Sequence, residues 1–213
     1  MFGLPPDAGL TAPLHVLALG AHSDDIEIGA GGTLLRLLGE RPQMTVSWVV
    51  LSGSPARAAE ARASAAEFLS TADATVRTES FRDGFFPRDA DLKGFFRDVL
   101  QPLHPDLVLT HRLQDAHQDH RTVAELTWQT FRGARIAAYE IPKWEGDLGQ
   151  PNAYIALDAE LVERKVACLS THFSSQAGKP WFDGETFRGL MRLRGVEAGV
   201  PYAEAFTCSK LVW

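Results

Sequence analysis

Short apolar runs alternate along this chain with longer segments whose apolar residues recur at helical spacing. The runs predict strands over residues 14–19, 44–51, 75–81, 106–110, 136–141, 153–157 and 205–213. The segments between them predict helices over residues 25–38, 89–103, 117–131, 159–172 and 185–194, with a further alanine-rich helix beginning at Pro55. Ser54 and Asp158 have the residue type of helix N-caps.

Strands separated by helices of this length imply right-handed crossovers and a mostly parallel sheet. The predicted fold class is therefore α/β, a Rossmann-like three-layer sandwich with helices on both faces of the sheet. The first strand-to-helix turn carries Gly20, His22, Asp24 and Asp25, whereas the next glycines, from position 29 onward, fall too late to hold a pyrophosphate. The turn therefore has the chemistry of a metal site and not that of a dinucleotide site.

A second polar cluster, residues 115–120, follows the predicted strand 106–110. Ligand sites in open α/β sheets lie at the carboxyl ends of the strands, so the two clusters can meet. Catalytic zinc typically takes three protein ligands from His and Asp or Glu and keeps one position for water. We expect His22 and Asp25 to bind such an ion together with His120.

The remaining polar residues of the two clusters suit hydrolysis. Asp24 lies between two expected ligands and is the candidate general base for the attacking water. His117 is placed to donate a proton or to stabilise an oxyanion. Either Asp119 or Asp115 can orient an imidazole through its second nitrogen.

Each cluster alone also has an ordinary structural explanation, as a helix cap or a solvated turn. Their occurrence at two strand ends favours one hydrolytic site. Two other functions stay open: a non-catalytic, metal-dependent carbohydrate-binding protein, and a metal-dependent phosphoesterase. Binding alone needs neither Asp24 nor His117, and two imidazoles suit zinc better than magnesium.

The bulk properties restrict the class of protein. The 213 residues carry a net charge of −6, which argues against a nucleic-acid partner. We expect one domain, with residues 142–213 completing the sheet on the substrate side. Cys168 and Cys208 are too few for a disulfide framework. Residues 1–7 lack a signal-peptide pattern and no apolar run reaches the length of a membrane span, so we expect a cytoplasmic protein with no membrane insertion. Assembly into a homo-oligomer stays open.

Two segments resemble the motifs of the PIG-L/LmbE-like zinc-dependent N-deacetylases. AHSDDIEIGAGGTL at 21–34 resembles the opening motif, and HRLQDAHQDHRTVAE at 111–125 resembles the second. Shorter matches are RAAEA at 57–61, YEIP at 139–142, PNAYIALD at 151–158, Lys165, and YAEAF at 202–206. Ser23 and Gln118 stand where the family usually has proline. Since neither position supplies a ligand, we expect zinc binding to survive both changes.

The resemblance implies a Rossmann-like fold and removal of an N-acetyl group from an amino sugar or an N-acetylglucosaminyl conjugate, a small-molecule substrate. Carried over by position, it implies zinc as cofactor, with the ligands His22, Asp25 and His120. It also implies Asp24 as general base, His117 as the group that polarises the carbonyl or protonates the amine, Asp119 as its support, and Arg57 near the sugar.

Overall fold

The computed structural model describes residues 14–209. Within this range the chain forms seven strands: β1 (Leu14–Gly20), β2 (Met44–Val50), β3 (Asp73–Thr78), β4 (Leu107–His111), β5 (Arg135–Tyr139), β6 (Ala153–Leu157) and β7 (Tyr202–Thr207). The predicted last strand begins and ends earlier than expected, and residues 210–213 lie outside the described range. So does the amino-terminal segment in which a signal peptide was sought.

The same range contains six α-helices: α1 (Asp25–Glu40), α2 (Pro55–Phe68), α3 (Ala90–Phe95), α4 (Gln118–Thr130), α5 (Ala159–His172) and α6 (Gly184–Ala198). Both predicted caps form. The Ser54 hydroxyl accepts from the amide of Arg57, and the Asp158 carboxylate accepts from that of Leu161. The helix predicted over 89–103 is less regular than expected, because α3 passes into a π-helical turn at 96–100 and a 3₁₀ turn at 101–103.

The strands form one sheet in the order β3-β2-β1-β4-β5-β7-β6. Every pair from β3 to β5 is parallel, whereas β7 runs antiparallel to both of its neighbours. Six strands therefore point the same way and their carboxyl ends share one edge of the sheet. β1 and β4 are adjacent, with Val16 opposite Leu107, so the loops that follow them adjoin.

Two hydrophobic layers cover the sheet. Val16 and Ala18 of β1 face a core shared with α1, α2, α5 and α6, while Leu17 and Leu19 face a second core shared with α3 and α4. The strand's alternation thus places helices on both faces and confirms the α/β, Rossmann-like three-layer sandwich. No helix within residues 14–209 is both long and apolar enough to cross a membrane.

The glycines that follow the first polar cluster serve helix packing. A Cβ atom at Gly29 would overlap the ring of Tyr139, and one at Gly31 would lie 2.9 Å from that of Phe68. Close approach of α1 to the sheet and to α2 therefore requires these glycines. This packing role agrees with the expectation that they do not form a nucleotide cradle.

Candidate metal centre and active site

The two polar clusters meet at the carboxyl edge of the sheet. The first occupies the turn from β1 into α1, and the second occupies the loop from β4 into α4. His22, Asp25 and His120 are all buried, with at most 9% of each residue exposed. Buried titratable groups need partners, so their contacts define what this place can bind.

Three donor atoms converge. His22 Nδ1 lies 3.1 Å from His120 Nε2 and 3.4 Å from Asp25 Oδ2, and the last two atoms are 3.5 Å apart. Ligands about 2.0–2.1 Å from a tetrahedral ion lie about 3.3–3.4 Å from one another. The three atoms therefore have the mutual spacing of one face of a zinc coordination tetrahedron.

The hydrogen bonds on the far side of each imidazole assign its proton. His120 Nδ1 lies 3.1 Å from Asp115 Oδ2, and His22 Nε2 lies 3.1 Å from Asp83 Oδ1. A carboxylate only accepts, so both of these nitrogens carry hydrogen and the two facing nitrogens present lone pairs. Two lone pairs 3.1 Å apart beside a carboxylate oxygen repel each other unless a proton or a metal cation lies between them.

The pKa values of His22 and Asp25 show that positive charge is stabilised at this place. Burial alone would lower the pKa of His22, but the neighbouring carboxylates of Asp119, Asp25 and Asp83 raise it well above its usual value. Burial would likewise raise the pKa of Asp25, but the neighbouring imidazoles of His120 and His111 hold it well below the usual range. The site is rich in carboxylates whose charge a bound cation would balance, and its residues fit zinc.

Asp24 has a different environment from the three donors. Its Oδ1 accepts from Arg57 Nη2 at 2.8 Å, whereas its buried Oδ2 has no hydrogen-bond partner among residues 14–209. Within the same range its side chain makes no capping bond to α1, although Asp24 is the N-cap residue. Burial and the charge of Asp25 raise the pKa of Asp24. A free, buried carboxylate oxygen with raised proton affinity is suited to accept a proton.

His117 is held at the start of α4. Its Nδ1 accepts from the Asp119 amide at 3.3 Å, and its own amide donates to Asp115 Oδ1 at 2.8 Å. The cap leaves the ring hydrogen on Nε2, where it is available as a donor. Burial and the charge of His120 lower the pKa of His117. Its ring centroid lies 4.8 Å from that of His22 and 4.7 Å from that of His120.

The Asp119 carboxylate acts on a neighbouring loop. It accepts from the amides of Gly84 at 2.6 Å and Phe86 at 3.2 Å, and its Oδ2 lies 3.6 Å from His22 Nε2. Among the described contacts, its link to His117 is through the backbone amide only. Asp119 therefore supports His22 and the loop that carries Asp83, and the orienting carboxylate of an imidazole is that of Asp115.

The two positions where proline is replaced have different surroundings. Gln118 donates through Nε2 to the carbonyl of Gly84 at 2.5 Å, so it fastens the same loop as Asp119. Ser23 is fully buried, and its hydroxyl has no partner in the described part of the chain. A Cβ at Gly53 would lie 2.9 Å from that hydroxyl, so Ser23 packs closely against the loop after β2.

Two residues of the site were not anticipated. His111, the last residue of β4, places Nε2 3.2 Å from Asp25 Oδ2 and stacks on His120 at 3.9 Å between ring centroids. A histidine at a strand end just before the second cluster was the signal for it. Asp83 lies on a loop 61 residues from His22, and no local pattern indicates that contact.

The sequence matches the PIG-L family, GlcNAc-PI de-N-acetylase, over residues 17–131. The matched part runs from β1 to the end of α4 and contains both polar clusters. It amounts to more than half of the chain.

Solved structures share the fold over nearly the whole chain. The conserved protein TT1542 from Thermus thermophilus is 22% identical, with a TM-score of 0.76 over 94% of this chain and 96% of that one. GalB, the 4-carboxy-2-hydroxymuconate hydratase of Pseudomonas putida, is 21% identical, with a TM-score of 0.75 over 94% and 98%. N,N'-diacetylchitobiose deacetylase of Pyrococcus horikoshii is 21% identical, with a TM-score of 0.72 over 92% and 83%. At these identities the likeness establishes the fold.

Proposed function

Because the chain belongs to the PIG-L family and is a hydrolase of the deacetylase type, we propose that it removes the N-acetyl group of an amino sugar or an N-acetylglucosaminyl conjugate with the help of zinc. The observation that carries this proposal is the convergence of three donor atoms beside a buried carboxylate whose second oxygen is free. That combination supports a cation and a base acting on one water molecule.

His22, Asp25 and His120 would hold the ion. Two imidazole nitrogens and one carboxylate oxygen favour zinc over magnesium, which prefers oxygen ligands. A zinc ion in such a site polarises a carbonyl group and makes a neighbouring water more acidic.

Asp24 accepts the proton of the attacking water in this proposal. Arg57 occupies its Oδ1, which leaves Oδ2 free to accept the proton. The raised pKa of Asp24 favours proton transfer, because a base is most effective when its pKa approaches the working pH. Hydrolysis adds water across the amide C–N bond and yields acetate and a free amine, which takes up a proton.

His117 stabilises the negative charge that develops on the acetyl oxygen. Its capping bond to the Asp119 amide fixes the ring and keeps hydrogen on Nε2. Its lowered pKa keeps the ring neutral at neutral pH, so it acts as a hydrogen-bond donor before it acts as an acid. Asp119 is a positioning residue, since its carboxylate holds the loop at Gly84 and Phe86.

Arg57 binds substrate at the rim of the site. It lies at the start of α2, where its side chain is 22% exposed while its guanidinium contacts Asp24. A partly exposed guanidinium next to the base can donate to a sugar hydroxyl. Arg57 would thereby place the acetamido group against Asp24.

Amine release from a panel of N-acetylated sugars and glycosides tests the proposal. Protein depleted of metal should be inactive and should recover activity with zinc, while His120→Ala should lose both zinc and activity. Tight sugar binding by zinc-loaded protein without amine release would contradict the proposal and favour a binding protein. Magnesium-dependent release of phosphate from phosphomonoesters would favour a phosphoesterase. Because GalB shares the fold, hydration of an unsaturated acid without amide hydrolysis would also refute it.

A further inference from the structure

A second group of donor atoms lies between α2 and α5. Glu67 of α2 and Cys168 and His172 of α5 each place one donor atom within 4.8 Å of the others. The Nε2 atom of His172 is 2.7 Å from Glu67 Oε2, a hydrogen bond that a bound ion would replace. Cys168 and His172 are four residues apart and therefore lie on the same face of their helix.

This group is separate from the catalytic centre. α2 follows β2 and α5 follows β6, and both strands point the same way in the sheet. Both helices therefore run back toward the amino-terminal edge of the sheet. Glu67 and His172 lie at the carboxyl ends of these helices, so the group lies at the opposite end of the molecule's sheet from His22 and His120.

We propose that Glu67, Cys168 and His172 form a second metal site, which takes zinc. Thiolate, imidazole and carboxylate together are a zinc donor set, and the soft sulfur ligand excludes magnesium and calcium. Three protein ligands leave a fourth position for water. The proposal does not depend on the catalytic activity, because it shares no residue with that site.

The three side chains are buried on one side and open to solvent on the other. Cys168 is only 2% exposed, and its sulfur contacts the Ser64 hydroxyl at 3.6 Å. The His172 and Glu67 side chains are 19% and 47% exposed, so solvent and ions reach the group from that side. Burial raises the pKa of the Cys168 thiol to about 12, so a bound ion must displace its proton.

An ion at this place would fasten α5 to α2. The two helices pack against each other beside the same core, and α2 begins with the turn that carries Arg57. Arg57 in turn contacts Asp24. The second site would therefore brace the helix that supports the proposed base, at the end farther from the reaction.

Cobalt titration of the full-length protein distinguishes the two sites. The catalytic centre has no sulfur ligand, so a thiolate-to-cobalt charge-transfer band reports the second site alone. We expect this band in wild type, in His120→Ala and in Cys208→Ala, which is the matched control for a cysteine. We expect it to be absent in Cys168→Ala, and zinc should displace the cobalt and abolish it in wild type.

His172→Gln supplies a second test, because this partly exposed side chain can be changed without leaving a cavity in the core. Loss of an outer-shell partner alone costs about 10–100-fold in metal affinity, so loss of this ligand should weaken cobalt binding by more than about tenfold. Glu67→Gln should weaken it as well. No charge-transfer band in wild type, a band that persists in Cys168→Ala, or cobalt affinity unchanged in His172→Gln would each overturn the site. Failure of zinc to displace cobalt would overturn the choice of metal.

Discussion

Replacing Asp24 with asparagine isolates the proposed base from the rest of the centre. The side chain keeps its size, and its amide oxygen can still accept from Arg57 as Oδ1 now does at 2.8 Å. The change removes the proton-accepting capacity of Oδ2, the buried oxygen without a partner in the described structure. His22, Asp25 and His120 are untouched, so the variant should keep its metal.

The expected loss follows from the environment of Asp24. A positioned general base typically contributes about 10²–10⁴ in rate, which corresponds to about 2.7–5.4 kcal/mol of transition-state stabilisation. Burial and the charge of Asp25 raise the pKa of Asp24, and a more basic carboxylate contributes more. We therefore expect Asp24→Asn to lower kcat by about 10³ to 10⁴.

The pH dependence of activity is an independent test of Asp24 as the base. A base acts when it is ionised, so wild-type activity should fall as the pH drops through the pKa of Asp24. Because that pKa is raised, the fall should begin above the range of an ordinary carboxyl group. The residual activity of Asp24→Asn should lack this acidic limb.

The assay is amine release with metal content measured on the same samples. Ser23→Ala is the matched control, since it removes a neighbouring buried hydroxyl that has no partner among the described residues and should leave kcat close to wild type. Near wild-type kcat in metal-loaded Asp24→Asn would refute the base assignment. Loss of metal from the variant would instead show that Asp24 belongs to the ligand set.

Three further changes test the energetics of buried charged groups. Burial raises the pKa of Glu27 well above its usual value, so the folded state keeps a proton that the unfolded chain releases. The free energy of unfolding therefore falls as the pH rises above the pKa of the unfolded state. Glu27→Gln should remove this slope of at most about 1.4 kcal/mol per pH unit, and urea-unfolding curves that shift with pH as in wild type would contradict this. Asp115→Asn weakens the acceptor on His120 Nδ1 and should lower zinc affinity about 10–100-fold in competition with a chelator, whereas unchanged affinity would leave Asp115 without an orienting role. Arg194→Met leaves the buried Glu140 carboxylate without its two guanidinium hydrogen bonds and should lower the free energy of unfolding by about 3–5 kcal/mol. Adding Glu140→Gln should recover most of this loss. No recovery would show that the loss comes from packing and not from the unpaired charge.

Local patterns predicted most of the elements because local physics determines them. The apolar run of β1 and the capping residues Ser54 and Asp158 all fall where expected. The direction of β7 could not be predicted, because a strand's pairing partner is set by the packing of α6 and β6 around it. The irregular backbone at 96–103 could not be predicted either, because it depends on a tertiary contact. Phe96 and Leu100 are both buried in the core beside α4.

The residues of the candidate site also fall into those that local sequence predicts and those that depend on tertiary contacts. His22, Asp24 and Asp25 are close in sequence, and a strand-to-helix turn suffices to bring them together. His120 could be added because two parallel strand ends share an edge. His111 carried a signal in its position at a strand end, but Asp83 carried none. The contacts of these two residues to Asp25 and His22 exist only once β4 and the loop at 83–86 are packed.

The loop at 83–86 shows how this chain holds its centre without the usual proline before Asp119. Proline would stiffen the turn by fixing its own φ angle. Gln118 instead donates to the carbonyl of Gly84, while the Asp119 carboxylate accepts from the amide of the same residue. Both backbone groups of Gly84 are thereby bound to α4, and Asp83 is held 3.1 Å from His22 Nε2. That contact keeps the His22 proton on Nε2 and its lone pair toward the proposed metal, so a cross-link between loops supplies the preorganisation that a rigid turn would otherwise provide.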